Sequence, residues 1–167
     1  MNIELGQNIT AAGYSWTAIK KENGNTYFLC DSCVKRMEFG NKDNYGKSDI
    51  RIELLNGRIL YNLKKEFGDN LVSITLSLKS MDGLNDYGTI MEDDELAILN
   101  IDLYRECREY ISKSNQFWLA TSYSTPSGVP ASYVLYVDSG GYVDWGDYDC
   151  SRGVRPFFIL KSNIFES

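Results

Sequence analysis

The chain has 167 residues, a hydrophobic fraction of 43%, an aromatic fraction of 13% and a formal net charge of -6. That size and apolar content fit one globular domain with a real core and exclude a disordered chain. The acidic balance argues against a nucleic-acid partner, since phosphate backbones repel it. The absence of histidine removes every Ser-His or Cys-His nucleophile.

In chain order, Ser15 to Cys30 reads as a hairpin. Its two arms alternate around Asn23-Gly24, the positive-φ pair that a two-residue turn demands. Asn41 to Gly46 is polar and reads as a loop. Ser48 then predicts a helix N-cap, with Ile50 and Leu54 at helical spacing and Asn56-Gly57 at its end. A second helix places Ile59, Leu60, Leu63 and Phe67 on one face and stops at Gly68. Leu71 to Leu78 alternates Val72, Ile74 and Leu76 against Leu71, Ser73, Thr75 and Ser77 and predicts one strand with one well-buried face. Met81 to Asp94 reads as a loop that runs into the acidic stretch Glu92-Asp93-Asp94-Glu95. Leu96 to Leu99 is a short buried segment, and Asn100 predicts the cap of a third helix carrying Leu103, Tyr104, Cys107 and Ile111. Phe117 to Thr121 is a strand, followed by the Ser124 to Gly128 loop.

The C-terminal third alternates tyrosines with small and acidic residues. A turn at Asp138 to Gly141 would pair Val137 with Tyr142 and Tyr136 with Val143. That register puts Val134, Tyr136, Val143 and Trp145 on a core face. It leaves Tyr133, Leu135, Val137, Tyr142 and Asp144 on a wet one. Asp147 to Ser151 forms a polar tip before the chain re-enters the core from Val154 to Leu160. No repeat, linker or low-complexity segment interrupts the chain, so residues 1–167 form one α+β domain.

Cys30, Cys33, Cys107 and Cys150 are read as free thiols. No basic start followed by an apolar run opens the sequence, so no signal peptide is expected and synthesis is placed in a cytoplasm. No apolar stretch is long enough to span a bilayer, so no membrane partner is expected. Cys30-Asp31-Ser32-Cys33 lacks the further ligands a zinc site needs. Asp138, Asp144, Asp147 and Asp149 could offer calcium its hard oxygens, but acidic residues in turns are ordinary. No metal and no cofactor is expected. No phosphate-binding glycine motif is present, and no carboxylate pair stands out, so no catalytic residue is assigned. Trp118, inside an apolar strand, belongs to the core. Arg155, between Val154 and Pro156, is expected to hold an internal carboxylate.

Phe117-Trp118-Leu119-Ala120-Thr121, the Tyr- and Ser-rich insert and Gly153-Val154-Arg155-Pro156 together resemble an uncharacterised family. Its members are C-type-lectin-like domains of bacteria and prophages with a W-[LT]-x-[ST] … G-V-R-P signature. Ser48-Asp49-Ile50-Arg51 … Leu55-Asn56 is similar to that family's helix entry, and the strand at Trp16 to its first strand. The resemblance implies a C-type-lectin-like fold: small antiparallel sheets joining the two chain ends, two to three helices, and a long C-terminal loop excursion. It also implies that this excursion, here residues 122–152, is the ligand surface. The chain departs from calcium-dependent lectins, having no Glu-Pro-Asn or Trp-Asn-Asp triplet. It departs too from the sulfatase-activating branch, whose paired cysteines have no match in Cys107 and Cys150.

Tyrosines beside turns supply contact area at little entropic cost. The expected function is therefore non-enzymatic recognition of a protein or glycan, of phage or prophage type, in the host cell or on a virion. The expected contacts are Tyr123, Tyr133, Tyr142, Asp144, Asp147 and Tyr148. A rival expectation is a small acidic inhibitor of a host defence protein, which would offer Glu92, Asp93, Asp94 and Glu95 to a basic groove.

Overall fold

The structure is a computed structural model that describes residues 2–129 and 132–166. Strands β1 (Asn8–Ala11), β2 (Tyr14–Glu22), β3 (Asn25–Cys30) and β4 (Lys35–Glu38) come first. Helices α1 (Asp49–Asn56) and α2 (Arg58–Phe67) follow, then the two-residue strands β5 (Leu71–Val72), β6 (Leu76–Ser77), β7 (Thr89–Ile90) and β8 (Ala97–Ile98). Helix α3 (Ile101–Cys107) leads into β9 (Phe117–Ser122), β10 (Tyr133–Val137), β11 (Val143–Asp147), β12 (Ser151–Val154) and β13 (Pro156–Lys161).

Local chemistry explains most of these boundaries. Asn23 and Gly24 take φ of 53° and 78°, the geometry of the tight β2–β3 turn. A bulge between Ala18 and Lys20 shifts that hairpin's alternation, so Ile19 is buried along with Trp16 and Ala18. The Ser48 hydroxyl accepts the Arg51 N–H at 3.0 Å and starts α1. The Asn100 side chain does the same for Leu103 at 2.9 Å and starts α3.

Two larger sheets and the small β6–β7 sheet share the core. In the first, β1, β2, β3, β13 and β5 lie in that order, and β8 also pairs with β13. The last strand thus runs antiparallel to β3, with Phe158 opposite Phe28. Trp16, Phe28 and Phe67 of α2 all pack on the Phe158 ring. The second sheet runs β11, β10, β9, β12, β4. The chain passes from one sheet to the other across Arg155, between β12 and β13.

Three expectations need correcting. Leu71 to Leu78 is not one strand. β5 pairs with β13 and β6 with β7, and between them the Ile74 N–H turns to the Asp94 carbonyl at 2.6 Å. Burial accordingly skips from Leu71 to Ile74 before alternating through Leu76 and Leu78. The expected 81–94 loop also contains β7. Arg155 is buried as expected, but it holds no carboxylate. Its guanidinium donates to the carbonyls of Cys30 at 2.6 Å, Ser112 at 2.8 Å and Asp31 at 3.4 Å, and to the Ser112 hydroxyl at 3.0 Å. Burial pulls its pKa below the usual arginine value. One cation here satisfies backbone acceptors from two separate segments.

Gly153 sits where β12 runs beside β9. A Cβ there would lie 2.3 Å from the Cys33 sulfur and 2.6 Å from the Gln116 carbonyl. Gly153→Ala is expected to cost roughly 1–3 kcal/mol by overpacking, read as a lower denaturant midpoint. An unchanged midpoint would mean that the Cys33 segment yields freely.

Candidate functional site

The 122–152 excursion forms most of the second sheet, with β11 as its open edge. The β10–β11 register differs by one residue from the expected pairing. Val137 lies opposite Val143, Tyr136 opposite Asp144, Leu135 opposite Trp145 and Tyr133 opposite Asp147. The cause lies in the turn. The Asp138 carboxylate accepts the N–H groups of both Gly140 and Tyr142 at 2.9 Å, and Gly141 takes φ of 88°. The connection therefore has five residues, Asp138 to Tyr142, and a one-residue slip sends each β11 side chain to the other face.

Val143 and Trp145 are thus corrected from core to surface: they are 38% and 51% exposed. Leu135 and Val137 move the other way and are buried, because β10 is covered on both faces. Val134 and Tyr136 are buried as expected. Tyr133 and Tyr142, at 39% and 68% exposure, are open as expected. Tyr148 is half-buried against the core, so its expected exposure is corrected too; its backbone carbonyl accepts the Phe39 N–H at 2.9 Å. Tyr123 is half-buried beneath its neighbours, with its ring 6.2 Å from Tyr133 and 5.4 Å from Trp145. Asp144 and Asp147 are both exposed. The Asp147 carboxylate accepts the Ser132 hydroxyl at 2.8 Å.

The result is an apolar ridge of Trp145 and Val143 on one face of the edge strand β11, continued by Tyr133 of β10. Asp144 projects from the other face of the same strand, and Tyr142 stands at the end of the turn. The turn itself is pinned from behind, since the Tyr104 hydroxyl and Arg108 both donate to the Gly141 carbonyl at 2.6 Å. At the base of the excursion, the Asp82 carboxylate accepts the Ser80 hydroxyl and, at 2.7 Å, the Ser124 hydroxyl. These two donors hold Asp82 below the usual carboxylate range. Asp86 accepts the Ser127 N–H at 2.8 Å and its hydroxyl at 2.7 Å. Tied at both ends, the aromatic ridge is displayed on a fixed frame.

Sequence reasoning missed Arg152. Its guanidinium lies 3.9 Å from the Tyr136 ring centre and 4.8 Å from that of Trp118. Its Nε and Nη1 are buried and find no hydrogen-bond acceptor among the described residues. The ring faces supply the negative charge instead. Gly146, in the middle of β11, carried the available signal, because a strand glycine often marks a close approach. A Cβ there would lie 2.5 Å from Arg152 Nη2.

The acidic stretch is only partly free. Asp94 is buried and takes a two-point bond from Arg51, both contacts at 2.8 Å. Glu92 reaches the same guanidinium at 3.4 Å, and the half-buried Glu95 pairs with Lys64 at 3.5 Å. Asp94 therefore anchors α1 to the 89–95 segment, which removes it from any partner surface. Glu92 and Asp93 remain exposed. The cysteines are free thiols. Burial pushes the Cys30 and Cys33 thiols up and that of Cys107 to about 11, which favours the protonated thiol over the nucleophilic thiolate.

Trp145→Ala is expected to leave folding stability within about 0.5 kcal/mol of the parent, as exposed substitutions do. Urea unfolding checks this, and a loss above about 2 kcal/mol would restore Trp145 to the core. No family model, no curated protein and no solved structure matches the chain.

Proposed function

We propose that the chain is a non-enzymatic recognition domain of C-type-lectin-like fold and phage or prophage type, whose 122–152 excursion contacts a protein or glycan. The fold reading is supported by the pairing of β13 with β3, by α2 packed on that sheet through Phe67, and by one long excursion between α3 and β13. The observation that carries the functional reading is the exposure of Trp145, Tyr142 and Tyr133 together, beside Asp144 and Asp147, on an edge pinned from behind. Large aromatic groups on a fixed frame give contact area without an ordering cost on binding. The location follows from the function, with the domain acting in the host cell or on a virion.

The test is retention on immobilised protein from a bacterial lysate and on a glycan array. A genuine ligand is lost by a Tyr142→Ala/Trp145→Ala double variant whose melting temperature is unchanged. Loss on Glu92→Gln/Asp93→Asn instead, with the aromatic variant still binding, would transfer the contact to the acidic stretch.

A further inference from the structure

The β10–β11 ladder leaves a row of open backbone groups. The Asp138 N–H donates to the Tyr142 carbonyl at 2.8 Å, and the Tyr148 N–H donates to the Ser132 carbonyl at 3.0 Å. In an antiparallel pair this alternation fixes the rest. Residues 142, 144 and 146 turn their N–H and C=O toward β10, the Tyr148 N–H does the same, and residues 143, 145 and 147 turn theirs outward. Some outward groups are already engaged: the Trp145 N–H by its own neighbour's Asp144 carboxylate at 2.8 Å, and the Asp147 carbonyl by the Cys150 N–H at 3.2 Å. The N–H and C=O of Val143, the C=O of Trp145 and the N–H of Asp147 have no partner among the described residues. Open edges of this kind accept a further strand.

Charge decides which strand. Asp144, Asp147 and Asp149 are exposed, and none is in an ion pair among the described residues. A second copy of β11 laid along this edge would bring a second set of the same unpaired carboxylates beside the first. Like charges across a strand pair are destabilising, so the edge rejects itself. A strand of opposite charge is attracted. The side chains refine the match. Asp144 lies on one face and Val143 and Trp145 on the other, with Asp147 at the end of that second face, so the complementary segment alternates basic with apolar residues and carries a further basic residue at the end beside Asp147.

We propose that the outer edge of β11 captures an extended basic peptide segment of a partner protein by strand addition. This rests on the reading of the 122–152 excursion as the contact surface and names the class of ligand that surface takes.

The probe is a displayed library of random linear twelve-residue peptides, panned against the folded chain. Enriched peptides are expected to alternate Lys or Arg with apolar residues. A synthetic representative should shift the emission of Trp145, the one exposed tryptophan; Trp16 and Trp118 are fully buried. Val143→Pro removes an outward N–H that β10 does not use, and should weaken that peptide about tenfold, the equivalent of one hydrogen bond. Methylating the peptide's edge-facing amide nitrogens tests the same contact without altering the protein and should have a similar effect. Asp144→Asn/Asp147→Asn should weaken it further at low salt than at high salt. Failure to enrich any peptide, or enrichment of acidic ones, overturns the proposal. Peptides that shift Trp145 emission yet ignore both Val143→Pro and amide methylation overturn strand addition while leaving the contact surface standing. Peptides that bind without moving Trp145 emission overturn both.

Discussion

Trp118→Ala is expected to cost about 3–5 kcal/mol, a large part of the roughly 5–15 kcal/mol that holds a domain of this kind folded. The indole is fully buried, and its N–H donates to the Met37 carbonyl at 3.0 Å. Its ring meets Phe39 and Tyr136 edge-on, at 5.5 and 6.3 Å. It is also one of the two rings near the Arg152 guanidinium, 4.8 Å from it. Alanine would leave a cavity, an unpaired carbonyl and a cation without half of its π support. Urea denaturation measures the loss. Trp118→Phe restores volume but not the N–H, so it should recover more than half of the deficit. A Trp118→Ala loss near 1 kcal/mol would mean that β9 collapses around the gap and that the frame of the excursion is softer than its packing suggests.

Arg155→Ala is expected to be of similar size, about 3–5 kcal/mol, for a different reason. The guanidinium reaches carbonyls at Cys30, Asp31 and Ser112, which join β3 to the segment after α3. Hydrogen bonds to a charged donor contribute roughly 1.5–3 kcal/mol each, and acceptors left dry after its removal add a penalty. Lysine keeps the charge but has no planar fork to serve two segments at once, so Arg155→Lys should recover only a minor share. Equal stability of Arg155→Lys and the parent would mean that charge, rather than the fork, is what the site requires.

Much of the frame was legible where one residue type dictates one backbone state. Asn23-Gly24 announced its turn, Ser48 and Asn100 announced their helices, and Gly68 ended α2. The excursion was harder, because its register hangs on one side chain. Asp138 binds two N–H groups and lengthens the turn by a residue. A strand rich in alternating Tyr, Val and Asp fits either register, so pattern alone could not choose. The error put Trp145 and Val143 in the core and so concealed the true composition of the exposed ridge, whereas Leu135 and Val137 were misplaced because β10 is covered on both faces. The bend between β5 and β6 was equally hidden, since apolar alternation continues through a point where the chain changes sheets. Arg155 was read as buried because of its neighbours, but local sequence does not reveal that distant carbonyls take the place of a carboxylate. Of the expected contact residues, Tyr142, Asp144 and Asp147 lie on or beside the edge strand and Tyr133 on its neighbour, whereas Tyr123 is half-buried against Tyr133 and Trp145, and Tyr148 is half-buried against the core.

Oxidative footprinting of the chain, free and with its retained ligand, bears most directly on the excursion as the contact surface. Protection of Trp145, Tyr142 and Tyr133, with Met91 beside the acidic stretch remaining as reactive as in the free protein, is the expected result. Protection of Met91 with Trp145 and Tyr142 unchanged would contradict it and place the contact at Glu92 and Asp93.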